Sequence, residues 1–518
     1  MGRKLIGNPV LRAIYLLFVF FVAIPLVYTF ISVLFFDASF TENIKQLNGA
    51  TFLLLAKSSL VSFTVAFFST VAGTALGFLL YKTNMPFRNY FRISLLIPLF
   101  ISPYILAVAW KDFFQLFFNT TGFISSYTGV ILVHTSIFTP LSMLIVGSAL
   151  SSINSQLEDS GFVITKFKSV LFKIILPLIK HALLTSFILV FILSISEFSV
   201  PAFFGLKVFT TEIFTQFSAF YNHSLAILQS ALLILLCILL LLSEKKHIAD
   251  ASFLSVSEKG TNTKLYRLNR QKYLALIFLS IWLFISVILP FVVLIIQSFK
   301  GGTSKFVQAF ELLLPTFGSS IGLAFAGALL SVIVGFTAAF FANNKSNSNF
   351  DWLLLIVFAI PSTILGISLI KFYNQTFFNF IYAGYAIVLI GYLAKFSFIS
   401  AKIIGNAIKQ IPKSLDEAAQ IEGINNFTRL WKILIPMIFP PLFAAFIINF
   451  IFSLGELGTT IMLYPPGTEI MSIKVFTIMA NAPQALTSSM TLIVFSVTLL
   501  IITGLYLMAK PFIKNYNN

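Results

Sequence analysis

The sequence predicts an all-α polytopic membrane protein, with about twelve transmembrane helices in two tandem pseudo-symmetric six-helix halves. Three observations carry that expectation. Hydrophobic residues make up 58% of the 518 and charged residues 10%, against roughly 45–50% and about 25% in soluble globular proteins. Apolar runs of membrane-spanning length recur along the chain. The stretch 158–197 also returns, in recognisable form, 259 residues later.

A helix needs about 20 apolar residues to cross the hydrocarbon core. Runs of that kind lie at 13–36, 58–81, 90–110, 127–150, 178–205 and 225–243. They resume at 273–299, 316–342, 352–375, 381–401, 437–464 and 485–509. Prolines or lysines interrupt the third, ninth and tenth. The first follows Arg3, Lys4 and Arg12, but it is longer than the roughly 7–15-residue apolar core of a signal peptide. We therefore read it as a retained anchor.

The net charge of +17 has a topological explanation. With the N-terminus inside and alternating spans, 26 of the 34 Lys and Arg residues fall on the cytoplasmic side. That bias follows the positive-inside rule and places both termini in the cytoplasm, with lipid rather than nucleic acid as the surroundings. A single cysteine, Cys237, excludes an intrachain disulfide. It lies within an apolar run, as a small packing residue does.

The one long hydrophilic segment, 244–272, divides the spans six and six, giving halves 1–243 and 273–518. Between 158–197 and 417–456, thirteen of forty positions are identical, among them Glu158, Lys173, Pro177 and Glu197. Shared hydrophobicity does not produce matched charges and a matched proline. An even number of spans per half gives both the same orientation, which predicts a parallel repeat with the transport path between the halves. A looser match, "SPYILAVAW" with "IPSTILGISL", runs at an offset of 258.

Each half carries one cytoplasmic loop of distinct character, 157–177 and 415–436. The second, with the two residues before it, reads "KSLDEAAQIEGINNFTRLWKILIP". Ser414 offers a helix start, Asp416 and Glu417 suit the first turn, and Gly423 suits a left-handed stop. A two-turn helix there is too short to span and fits a groove on another protein.

These residues resemble the "EAA…G…LP" signature of permease subunits in bacterial ATP-binding-cassette importers. The match falls on Glu417, Ala418, Ala419, Gly423, Ile435 and Pro436. The first loop keeps Glu158 and Pro177 but has Asp159, Ser160 and Ile164 where the alanines and glycine would stand. The resemblance implies the type I importer permease fold in fused double-permease form. It also implies a separate ATPase, expected as a homodimer docking on both loops, and an extracytoplasmic substrate-binding protein. The departures imply a weaker first contact.

The chain has no "GxxxxGK[ST]" phosphate loop, so ATP is expected to be used by the partner, with no cofactor or metal bound by this chain. His134, His181, His223 and His247 show no metal-ligand spacing, and no nucleophilic grouping suggests catalysis. Intramembrane ionisable groups are costly and mark function. The repeat-related Glu197 and Glu456 are candidates for the translocation path, or for bonds that fix helix packing. Lys371 and Lys395 are single and can snorkel.

The segments "EFSVPAFFGLKVFTTEIFTQF" and "ELGTTIMLYPPGTEIMSIKVF" resemble the ferric-iron branch of the fused permeases. Thiamine, phosphonate and polyamine importers are the alternatives of similar layout. An ion-coupled secondary transporter would share twelve spans and two halves, but does not need two glutamate-led loops.

Overall fold

The computed structural model describes residues 9–36, 40–243, 265–300, 302–343, 348–411, 414, 419, 421–479 and 481–517. Among them the regular structure is helical, apart from one isolated bridge between Thr83 and Tyr266. Nine helices among the described residues are long and apolar enough to cross a membrane, and three bent pairs raise the number to twelve. The chain is an all-α, multi-pass membrane protein. The expected runs fall one to one on these spans.

The bends follow prolines. The third span is Arg88–Phe100 followed by Pro103–Phe118 at 96°, and the ninth is Asn349–Ala359 followed by Ser362–Tyr373 at 105°. Ahead of the second pieces, Ser102 (ψ 134°) and Pro361 (ψ 142°) are extended rather than helical. Ser102 precedes Pro103 and is pushed that way, and Pro361 has no N–H to continue the ladder. The two breaks are the two places matched at offset 258. The tenth span differs from expectation: Ala386–Lys409 is one continuous helix. Lys395 does not interrupt it. Its Nζ donates at 3.4 Å to the Ile360 carbonyl, beside the break in the ninth span.

Four π-helical turns occur among the described residues, at Val19–Ala23, Leu171–Ile175, Phe284–Ile288 and Leu430–Leu434. Each ends two residues before a proline: Pro25, Pro177, Pro290 and Pro436. A proline ring collides with the carbonyl four residues earlier, and a wider turn relieves the collision. The second and fourth turns stand at the repeat offset. Each leads to a short helix, a break at Ile179 or Ile438, and a 17-residue helix, Lys180–Ser196 or Phe439–Gly455. Three-dimensional structure therefore repeats where the sequence repeats.

Hydrogen bonds repeat as well. Phe209 N–H donates to Ser58 Oγ at 2.9 Å, and Met471 N–H to Ser320 Oγ at 2.8 Å. Thr210 Oγ1 reaches the Glu197 carbonyl at 3.4 Å, and Ser472 Oγ reaches that of Glu456 at 3.3 Å.

By contact, the helices form two compact units. One holds 38–314 and 474–493, built on Gly49–Lys82 packed against Tyr127–Ser151 and Lys180–Ser196. The other holds 1–37, 315–473 and 494–518, built on Ala386–Lys409 against Phe439–Gly455. These units cut across the halves 1–243 and 273–518. Ile24–Phe36, from the first half, packs on Ser362–Tyr373. Tyr373 Oη donates to the Phe21 carbonyl at 2.9 Å, and Thr29 Oγ1 to that of Ser368 at 3.2 Å. Likewise Leu289–Lys300, from the second half, packs on Pro103–Phe118.

Candidate functional site

The first loop folds as the helix Ser155–Ile164, with Asn154 Oδ1 accepting from Gln156 N–H at 3.0 Å. Its inward face is fixed by charge and shape. Glu158 is fully buried and bonds Lys82 Nζ at 2.6 Å, the lysine being equally buried at the end of the second span. Gly161 is buried, and a Cβ there would lie 2.5 Å from Ile174 Cδ1. Val146, Leu150, Ile153, Val170, Ile175 and Ile179 form an apolar core in the same region. Asp159 and Ser160 face outward, and Val163 and Ile164 are each 87% exposed. Pro177 stands at the end of the loop, after its π turn.

In the second loop, Glu417 and Ala418 lie outside the described residues. Ala419 is buried and Ile421 is 86% exposed. Gly423 has φ +69°, a left-handed conformation that favours glycine, and Ile424 N–H reaches back to the Ala419 carbonyl at 3.1 Å. That six-residue closure satisfies a carbonyl at the helix end. Ile164, at the corresponding place in the first loop, precedes an extended Thr165 instead. The two loops therefore leave their helices differently. Pro436 repeats the π turn and short helix of Pro177.

Glu197 and Glu456 each follow a 17-residue helix and cap what comes next. Glu197 Oε1 accepts from Ser199 N–H at 2.8 Å and from the Ser199 hydroxyl; Oε2 accepts from Val200 N–H at 2.9 Å. His134 Nε2 lies 3.1 Å from Oε2, while its Nδ1 lies 3.1 Å from Ser194 Oγ. Glu456 Oε1 accepts from Thr459 N–H at 2.8 Å. Where the first half has His134, the 258-residue offset gives Tyr392, whose hydroxyl is 3.1 Å from Thr460 Oγ1. Equivalent carboxylates thus have different neighbours.

Sequence reasoning passed over four residues. Lys82 follows the apolar run 58–81 and is, in the sequence, one positive charge among many. His134 was weighed only as a metal ligand. Asp112 lies just past the expected third span, yet the helix runs on to Phe118 and buries it, bonded by the Ser488 hydroxyl. Tyr266 belongs to the 244–272 segment, of which 244–264 lie outside the described residues. Burial first, and then the nearby Glu158 carboxylate, raise its phenol above the usual tyrosine range. The signal available for Asp112 was a charge within one turn of an apolar run. Nothing local distinguishes Lys82 or Tyr266.

Residues 327–514 match the family model described as binding-protein-dependent transport system inner membrane component. The matched region takes in the ninth to twelfth spans, the second loop and Glu456. Beyond that match, similarity runs through both halves. A ferric transport system permease protein of Actinobacillus pleuropneumoniae is 24% identical over 510 residues, covering 90% of this chain and 73% of that protein. An Fe(3+)-transport system permease protein of Haemophilus influenzae is 24% identical over 453 residues, covering 86% and 88%. A putative 2-aminoethylphosphonate transport system permease protein of Salmonella typhimurium is 24% identical over 195 residues, 37% of this chain and 73% of that one. The chain resembles a fused double permease of the ATP-binding-cassette importers, a transport subunit.

Proposed function

We propose that the chain is the membrane permease of a binding-protein-dependent importer that carries ferric iron into the cytoplasm by alternating access. The observation that carries the substrate is the reach of the similarity. Relatives named for ferric transport align through both halves, whereas the phosphonate relatives align over 37% of the chain. The chain binds no cofactor of its own. A separate ATPase homodimer docks on the two loops, and an extracytoplasmic binding protein delivers the iron. Both termini face the cytoplasm, in keeping with the skew of Lys and Arg.

In this reading the second loop supplies the stronger contact. Ile421 projects from it, and Gly423 turns the chain back toward the π turn before Pro436. Asp159, Ser160, Val163 and Ile164 supply the outward face of the first. Glu456, half-buried and held through one carboxylate oxygen, is the better placed of the two glutamates to meet a passing cation.

Uptake of labelled iron(III) by a strain lacking this gene, with and without the gene restored, tests the substrate. Restoration should return iron uptake and leave thiamine and 2-aminoethylphosphonate uptake unchanged. Recovery of either of those instead of iron overturns the assignment. Replacing Glu417 and Gly423 together should abolish uptake while the protein still inserts, and normal uptake overturns the docking role.

A further inference from the structure

The first loop is tied down from two directions, one through its signature glutamate, Glu158, and one through Tyr266, which lies outside the loop. Lys82 and Glu158 form an ion pair at 2.6 Å with both side chains fully buried. A buried charge is tolerated only when paired, so removing either partner leaves the other stranded. Glu158 is thereby turned into the protein, away from any docking subunit.

The second tie comes from the chain that returns to the seventh span. Tyr266 N–H donates to the Lys82 carbonyl at 2.8 Å, and Asn84 N–H donates to the Tyr266 carbonyl at 3.1 Å. Leu268 N–H adds a bond to Asn84 Oδ1 at 3.2 Å. The residue that holds Glu158 through its side chain is therefore held itself through its backbone. The Tyr266 ring stacks on Phe78 of the second span, with centroids 6.0 Å apart. It also meets Phe162 of the loop helix at 5.7 Å and Phe167 just beyond that helix at 5.3 Å. One aromatic side chain thus touches the span, the loop helix and its exit.

We propose that Lys82 and Tyr266 are positioning residues that clasp the first loop helix to the second span, so that a push on the loop moves the span with it. Glu158 acts as an internal strut, and the outward residues of the same helix meet the partner. The proposal rests on the docking role assigned to this loop under the proposed function. It gives the first loop rigidity, because the glutamate it keeps faces inward on Lys82.

The test uses the full chain with Cys237→Ser and a spin label on Gln156→Cys, on the loop helix but outside its docking face, reconstituted in lipid with its ATPase. Label mobility reads the clasp, and iron taken up per ATP hydrolysed reads the coupling. Lys82→Met and Tyr266→Ala should each mobilise the label. Each should also lower uptake per ATP by between about twofold and thirtyfold, the span of coupling changes seen for residues that touch neither ligand. The exchange Lys82→Glu with Glu158→Lys should restore most of both readouts, which a general loss of folding would not allow. Tyr266→Ala leaves the ion pair in place and remains informative if Lys82→Met does not accumulate. An unchanged label in Tyr266→Ala or Lys82→Met overturns the clasp. A mobilised label with unchanged uptake per ATP overturns the docking role of the loop, with the clasp left standing.

Discussion

Glu197 and Glu456 occupy one position of the repeat and one place in the fold, yet their surroundings assign them different work. Glu197 accepts from Ser199 and Val200 on its two oxygens and lies against His134. Replacing it with glutamine leaves one acceptor oxygen and puts an NH2 where an acceptor was. An unsatisfied buried group costs about 1–3 kcal/mol. Glu197→Gln should therefore lower thermal stability in detergent, with uptake falling only as the folded fraction falls. Glu456→Gln should leave stability near that of the parent and lower iron uptake per folded molecule. Equal stability losses in the two variants contradict this division. Tyr266 gives a pH signature. Its phenol is raised in the folded protein, so folding favours the neutral form. That contribution is complete below the unfolded tyrosine pKa of about 10 and is lost as pH rises towards the folded value. Thermal stability measured from pH 9 to 11 should fall more steeply in the parent than in Tyr266→Phe. The sequence made both glutamates visible, because intramembrane charge is rare. It hid the partner of Glu197, since His134 sits 63 residues away along the chain.

Helices cross closely at one repeated point, and glycine permits it. A Cβ on Gly73 would lie 2.4 Å from Ser142 Cβ and 2.8 Å from Met143 N. A Cβ on Gly335 would lie 2.3 Å from Ser400 Cβ and 2.7 Å from Ala401 N. Ser142 receives a bond from Ser186 at 2.7 Å, and Ser400 one from Asn449 at 2.6 Å, so each crossing is closed by a polar contact from a third helix. In lipid, such close backbone approach supplies much of the packing attraction. Gly73→Ala and Gly335→Ala should each destabilise by about 1–3 kcal/mol, because the obstacle is partly backbone. Gly405→Ala, whose Cβ would sit 3.6 Å from Ala339 Cβ, should stay within about 0.5 kcal/mol of the parent. Unfolding in detergent measures all three, and equal behaviour would falsify the crossing argument. At this scale the sequence was most legible, since run lengths and prolines located every span and the breaks in the third and ninth. It misjudged the tenth because a lysine in an apolar run looks like an interruption, whereas Lys395 bonds a carbonyl beside the broken ninth span. The π turns were not legible as such, although each stands at a fixed distance before a proline.

Sequence symmetry and packing symmetry part company in the whole molecule. The repeat divides the chain into halves of six spans, but residues 9–36 pack within the unit that holds 315–473. Composition could not reveal this, because an apolar helix carries no mark of which neighbour it prefers. The specific contacts among the described residues include Tyr373 to the Phe21 carbonyl, Thr29 to that of Ser368, and Phe350 against Tyr15 and Phe18 with ring centroids 4.8 and 5.6 Å apart. A half produced alone is therefore not a complete packing unit, whatever its sequence suggests. Residues 273–518 by themselves lack the helix that covers Ser362–Tyr373, and lipid would meet the Tyr373 hydroxyl instead of a carbonyl. Residues 1–254 and 255–518, produced together as separate chains, retain every described helix of both units. Co-production should yield both pieces in the membrane, recovered together on one affinity tag, while 273–518 alone should be degraded. Stable accumulation of 273–518 alone, at the level reached in co-production, would show that the first span is dispensable to the unit it packs in. The exchange of first spans would then be a by-product of chain connectivity rather than a source of stability.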